Sequence, residues 1–265
     1  SLRHAIMPSD YILRPGTSYA AEFLQAVDND EVVVFDTETT GTSTFDDDIV
    51  QIAAVKMRNG KKVEGSEFSV FIMTEREVPA MIGNEPNPII EALKHNILLS
   101  PREALSKFIK YAGHHTLIAH NADFDYNILR TNLQRYLPSE RLEEACPRCY
   151  DTLRMARLLH PELKQHKLRH LLAMLRLEGS NTHMADDDVA ARSEMVLRQV
   201  IIHEGSPFNG KTIRECGIRA DYHCLIAGVE TKDGKLYQPA VDIPFVTGDV
   251  VWIVGQKDDV ALLLK

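Results

Sequence analysis

Two acids stand two residues apart in Val32-Val33-Val34-Phe35-Asp36-Thr37-Glu38-Thr39-Thr40-Gly41. Four apolar residues, three of them β-branched, open this run and predict a buried strand. Along a strand, residues i and i+2 face the same side, so Asp36 and Glu38 project together from an otherwise apolar surface. Like charges held there repel and lose solvation, a cost that a cation between them offsets. The alternative is a strand end whose acids fray into water. Asp125 closes His120-Asn121-Ala122-Asp123-Phe124-Asp125, and His183 and Asp188 lie five apart farther on. Four carboxylates and one histidine on three segments can converge on two divalent cations. Hard oxygen ligands suit Mg²⁺ or Mn²⁺ rather than zinc. Two such ions roughly 3.5–4 Å apart stabilise the attacking and leaving oxygens of an in-line phosphoryl displacement.

The elements that must position these residues follow from periodicity. An N-terminal arm, residues 1–30, contains an amphipathic piece from Ala20 to Val27. Strands are predicted at Val32–Asp36, at 49–57 and, beyond the hairpin dipeptide Asn59-Gly60, at Glu67–Met73. Residues 79–88 carry Pro79, Gly83, Pro86 and Pro88 and read as a loop. Ser100-Pro101, with Glu103 at the reciprocal capping position, opens a helix whose apolar face is Leu105, Phe108, Ile109 and Ala112. A short strand at Thr116–Ala119 then delivers His120-Asn121, and a helix follows through Leu133. Helices are expected at Asp151–Leu159, at Leu168–Leu175 and from His183 to about Arg198. Past Val200 the rhythm turns to alternation, with a helix-like Thr212–Cys216, a strand at Cys224–Val229, a hairpin signal at Asp233-Gly234, and a strand at Val250–Val254. This divides the chain at about 199–206.

The composition of the 265 residues, 44% hydrophobic and 26% charged, is that of a globular protein. No apolar run approaches the length of a bilayer span, and no basic-then-apolar leader is present. Four cysteines in this length favour a reducing, cytoplasmic setting. Cys146-Pro147-Arg148-Cys149 reads as two buried thiols rather than a zinc site, because Cys216 and Cys224 lie across the boundary. The net charge of −8 is unlike that of a nucleic-acid binder, yet residues 130–176 hold ten Lys/Arg against five Asp/Glu. That stretch either follows a phosphate backbone or is the solvated face of helices.

Three motifs in order carry a family resemblance. Phe35-Asp36-Thr37-Glu38-Thr39-Thr40-Gly41, His120-Asn121-Ala122-Asp123-Phe124-Asp125 and His183-Met184-Ala185-Asp186-Asp187-Asp188 resemble the motifs of DEDDh-type 3′–5′ exonucleases of the DnaQ-like, ribonuclease H-like superfamily. The resemblance spans about residues 30–200. It implies an α/β fold with a mixed central sheet flanked by helices. Asp36, Glu38, Asp125 and Asp188 would hold two Mg²⁺ or Mn²⁺, and His183 would be the general base for the attacking water. Thr37, Thr39 and Gly41 would contact the terminal nucleotide, while His120 and Asn121 would orient the second-motif loop and the substrate. The implied partner is a nucleic acid with a free 3′ end, and the implied product a nucleoside 5′-monophosphate. The chain departs from the family at His95-Asn96-Ile97, where many relatives carry His-Gly-Ile.

The segment Ser206-Pro207-Phe208-Asn209-Gly210-Lys211-Thr212-Ile213-Arg214-Glu215, with Gly248-Asp249-Val250-Val251-Trp252-Ile253-Val254-Gly255, resembles a TrkA-C domain. A small C-terminal α+β unit over 201–265 is therefore expected. The resemblance implies dimerisation, or binding of a small nucleotide or ion, with a plain packing appendage as the alternative. Two rivals to a DNA exonuclease stand beside these expectations: a short-RNA or dinucleotide phosphodiesterase, and a non-catalytic binding protein.

Overall fold

The run Val32 to Phe35 becomes the centre of a sheet because its side chains are apolar on both faces. The computed structural model describes residues 19–159, 164–168, 171, 185, 195–231, 236–237 and 242–263. Helix α1 (Tyr19–Asn29) leads into β1 (Glu31–Thr39), which runs past the expected end at Asp36 and keeps Glu38 within the strand. β2 (Ile49–Arg58) pairs antiparallel with β1, with Asp36 opposite Ala53 and Glu38 opposite Gln51. Asn59 and Gly60, with φ of 51° and 66°, turn the chain into the short β3 (Lys61–Lys62). Positive φ at both central positions is what a two-residue hairpin of this hand requires. β4 (Phe68–Ile72) then pairs with the other edge of β2.

Residues 79–88 are not wholly irregular. Gly83, at φ 60°, turns a small hairpin of β5 (Met81–Ile82) and β6 (Glu85–Pro86), and α2 (Ile89–His95) follows. Asn96 is extended, at φ −111° and ψ 161°, so the departure from glycine in His95-Asn96-Ile97 strains nothing. β7 (Leu98–Leu99) joins β4 in parallel. Ser100 caps α3 (Pro101–Ala112) by accepting the Glu103 N–H, and Gly113, at φ 49°, ends it. β8 (Thr116–Ala119), α4 (Ala122–Tyr136), α5 (Leu142–Ala145), β9 (Cys149–Asp151) and α6 (Thr152–Leu159) follow. The helix expected from Asp151 thus begins at Thr152, because Cys149 to Asp151 pairs in parallel with β8. The sheet order is β7-β4-β2-β1-β8-β9, with β3 on β2.

Strand alternation splits the core in two. Val33 and Phe35 pack with Phe108 of α3 and with Leu129 and Leu133 of α4. Val32 and Val34 face the other way, into a cluster with Leu24 and Val27 of α1, Tyr150, and Met155 of α6. Asp36 and Glu38 continue the second set, and Thr37 the first.

A second sheet begins at β10 (Met195–Ile201), ahead of the division expected at 200. The helix expected to reach Arg198 does not include Met195 to Arg198, since Met195 to Ile201 pairs along its length with β13 (Val250–Gln256). Thr212 to Cys216 is a turn rather than a helix. Glu215 accepts both the N–H and the hydroxyl of Thr212, and Gly217, at φ 69°, precedes α7 (Ile218–Tyr222). β11 (Leu225–Glu230), β12 (Leu236–Tyr237) and α8 (Lys257–Leu263) follow, giving the order β10-β13-β11-β12. Asp233-Gly234 and residues 1–18 lie outside the described residues. Ala227 and Trp252 of this sheet enter the same cluster as Val32, Val34 and α1, so the C-terminal sheet covers one face of the first. Among the described residues no helix is long and apolar enough to cross a membrane.

Candidate active site

β1, β8 and β9 are mutually parallel, so their C-terminal ends bring Glu38, the residues after Ala119, and Asp151 to one edge of the sheet. Ligands of open α/β sheets bind at such an edge. Asp36 and Asp125 are both buried there, at 7% and 4% exposure, too low for acids that fray into water. Asp125 lies in the first turn of α4, and its Oδ1 accepts the Thr37 N–H at 3.0 Å and the Thr37 hydroxyl at 2.8 Å. These two bonds tie the second motif to the first across 88 residues. They also occupy the hydrogens of Thr37 that the resemblance directs at a nucleotide.

The third motif approaches from the other face. The Ala185 N–H donates to Gln51 Oε1 at 3.2 Å, and Gln51 is paired with Glu38 across the β1–β2 ladder. Directly opposed residues share a face of the sheet, so Ala185 is docked beside the face that carries Asp36 and Glu38. His183 and Asp188, like Asp186 and Asp187, lie outside the described residues. Among the described residues no three His, Cys, Asp or Glu side chains form a group disposed to hold a metal ion. Burial pushes the Cys149 thiol well above its usual range, and the Asp151, Asp125 and Asp123 carboxylates add to that shift. Cys146 is likewise raised by burial, to about 11. Both thiols are free and buried, and stay protonated at neutral pH.

The loop from Gly41 to Asp48 is clamped from within and from α4. Thr39 donates to the Gly41 carbonyl at 2.7 Å, and a Cβ on Gly41 would meet Asp47 Oδ2 at 2.5 Å, so the carboxylate that Thr40 and Ser43 hold would have to move. Buried Asp48 accepts from Arg135, from the Tyr136 hydroxyl at 2.8 Å and from Thr74 at 2.8 Å. Arg135 also donates to the Phe45 carbonyl at 2.7 Å, and Asn132 to the Asp47 carbonyl at 3.1 Å. Arg135→Ala leaves the buried Asp48 with Arg76, at 3.6 Å, as its remaining charged partner and should cost about 1–3 kcal/mol. Urea denaturation of the variant measures this, and an unchanged midpoint would show the clamp to be redundant.

Around the second motif, the His120 Nε2 faces the His166 carbonyl at 3.1 Å, which can only accept. In the neutral ring that nitrogen carries the hydrogen, and Nδ1 lies 2.9 Å from the Thr152 hydroxyl, which also donates to the Ala119 carbonyl at 3.3 Å. Asn121 adopts a left-handed backbone, at φ 69°. Gln51 and Asp151 escape a reading by periodicity. Gln51 is one polar residue within an apolar strand, and Asp151 resembles an ordinary acid at a helix start.

A parallel-edged mixed sheet that gathers buried acids from a central strand and a following helix is the architecture of ribonuclease H-like nucleases. The family described as Exonuclease (RNase_T) matches residues 33–195 and the TrkA-C domain matches residues 197–265. This chain belongs to the DnaQ-like exonuclease family and carries a TrkA-C domain after its nuclease unit. It is 30% identical over 219 residues to "DNA polymerase III PolC-type" of Clostridium perfringens, covering 79% of this chain and 14% of the relative. The PolC-type polymerase of Halalkalibacterium halodurans is 34% identical over 175 residues, covering 64% of this chain and 11% of the relative. The chain thus corresponds to a small part of these polymerases. Among solved structures, E. coli Exonuclease I in complex with a dT13 oligonucleotide aligns with a TM-score of 0.50 at 19% identity, over 61% of this chain and 39% of that one. At that identity the likeness speaks for the fold.

Proposed function

We propose that this chain hydrolyses single-stranded DNA from its 3′ end, releasing nucleoside 5′-monophosphates. The observation that carries the reading is the meeting of three segments at one sheet edge: Asp36 and Glu38 on β1, Asp125 tied to Thr37, and Ala185 docked on Gln51 opposite Glu38. The all-oxygen donor set fits Mg²⁺ or Mn²⁺. Asp36, Glu38, Asp125 and Asp188 would hold two such ions. When bound, they supply charge neutralisation at the scissile phosphate and acidify the attacking water. His183 accepts the proton of that water as its oxygen bonds to phosphorus, and the P–O3′ bond breaks, leaving a 3′-hydroxyl once the departing oxygen is protonated. Thr37 holds Asp125 in place. Thr39 and Gly41 shape the loop at the terminal nucleotide, and His120 and Asn121 order the second-motif turn.

The DNA assignment is supported by the kinship to PolC-type DNA polymerases. Product analysis on 3′-labelled DNA, RNA and dinucleotides tests it: labelled mononucleotide should leave DNA first, and turnover of dinucleotides alone would overturn it. For the C-terminal unit the TrkA-C match supports binding of a small nucleotide or ion, or dimerisation; the four free, buried cysteines support a reducing, cytoplasmic setting for the whole chain.

The contact of His166 with His120 also lays residues 164–167 beside the second motif, and Lys164 and Lys167 there are exposed. If they follow the substrate backbone, Lys164→Ala/Lys167→Ala should weaken DNA binding uniformly across sequences. It should lower the slope of log K against log salt by about 1–2. Fluorescence anisotropy with an oligonucleotide in EDTA reads this out, and an unchanged slope makes these lysines mere solvated surface.

A further inference from the structure

We infer that Asp151 is the positioning residue of the second motif, acting through the backbone of Asn121. The inference rests on the catalytic reading above for its consequence and on the hydrogen bonds alone for its geometry. Asp151 ends β9 at the active edge, 8% exposed, and its Oδ1 accepts two N–H groups. One is Leu153 N–H at 2.8 Å, in the first turn of α6, the bond of an N-terminal cap. The other is Asn121 N–H at 2.8 Å, from a residue 30 positions earlier. Asn121 is held at φ 69°, a backbone region that costs a side-chain-bearing residue energy unless its surroundings fix it. The next residue, Ala122, opens α4, and Asp125 follows in its first turn. One carboxylate oxygen therefore fixes the turn from which the helix bearing Asp125 departs.

The neighbouring contacts point the same way. The Thr152 hydroxyl meets His120 Nδ1 at 2.9 Å, so the β9–α6 junction grips both polar residues of the turn. On its far side, the main-chain N–H of Asp151 donates to the Tyr19 hydroxyl oxygen at 2.6 Å, anchoring the junction to α1. Asp151 touches neither the substrate path nor an ion in this scheme. Its effect is the placement of Asp125.

Capping and positioning are separable by substitution. Asp151→Asn keeps an Oδ1 that can accept both bonds. Asp151→Ser keeps a good cap for Leu153, but its oxygen ends one bond earlier and gives up Asn121. Amide hydrogen exchange, Mn²⁺ titration followed by the EPR signal of free ion, and thermal melting are measured on the full chain. In Asp151→Ser, exchange at Asn121 should accelerate at least tenfold and Mn²⁺ affinity should fall about 10–100-fold, the cost typical of losing a partner behind a metal ligand. Asp151→Asn should stay within threefold of wild type in both. Wild-type protection of Asn121 in Asp151→Ser overturns the inference, and so does an Asp151→Asn variant that loses Mn²⁺ as Asp151→Ser does, since charge would then matter rather than the bond. A wild-type chain that binds no Mn²⁺ sinks the two-ion reading, and Asn121 exchange still decides the part played by Asp151.

Discussion

Replacing Asp36 by alanine should lower the rate of Mg²⁺-dependent nucleotide release from single-stranded DNA about a thousandfold or more, about 4 kcal/mol of transition-state stabilisation. Asp36 is buried at the C-terminal half of β1, on the face where Ala185 is docked through Gln51. An ion held there by fewer carboxylates neither neutralises the scissile phosphate nor lowers the water's pKa as far. EDTA should reproduce the loss in the wild type, and added Mg²⁺ or Mn²⁺ should restore the wild type alone. His183→Ala should fall comparably if it takes the water's proton. Glu64→Ala, exposed just beyond β3, serves as the control for a lost surface charge. A rate for Asp36→Ala equal to wild type on labelled DNA means the site has been assigned to the wrong residues.

The second large effect concerns stability. Trp252→Ala should destabilise the protein by about 3–5 kcal/mol, the usual cost of emptying a buried aromatic site. Trp252 lies on β13 of the C-terminal sheet, yet its cluster includes Val32, Val34, Ile118 and Tyr150 of the nuclease sheet and Leu24 of α1. The loss should therefore reach the nuclease unit, and the urea transition followed by far-UV circular dichroism should move as one. Fluorescence is unsuitable, because Trp252 is the one tryptophan of the chain. Two separated transitions, with only the smaller one shifted, would show the sheets to be energetically independent.

The reach of sequence reasoning differed by the range of the interaction involved. Asp36 and Glu38 were legible because strand geometry alone sets which residues share a face, and the strand extends far enough to keep both. α3 was legible in Ser100, Pro101 and Glu103, whose cap bonds span three residues. Asp151 read as a helix start because its bond to Leu153 is local, whereas the bond to Asn121 is not. The same holds for Gln51, whose partner Ala185 is 134 residues away. Val251-Trp252-Ile253 announces a buried strand, but nothing in its pattern says that α1 and the first sheet bury Trp252 while Val251 and Ile253 pack within the C-terminal unit. The early start of β10 escaped because Met195 to Arg198 suits a helix about as well as a strand, and pairing with β13 decides.

The order in which these contacts close has a consequence for synthesis on the ribosome. The β1–β2 pair joins neighbours in the chain and can form early, carrying Asp36, Glu38 and Gln51 with it. Asp125 reaches Thr37 only after 88 residues, and Ala185 reaches Gln51 only after 134. The cover over the apolar face beneath them, begun by α1 and α6, is completed only when Ala227 and Trp252 have been made. A nascent chain therefore carries its acids long before it can gather them. On the proposed ligand set, competence to bind ions should arise late in translation, when the C-terminal strands have emerged and completed the core.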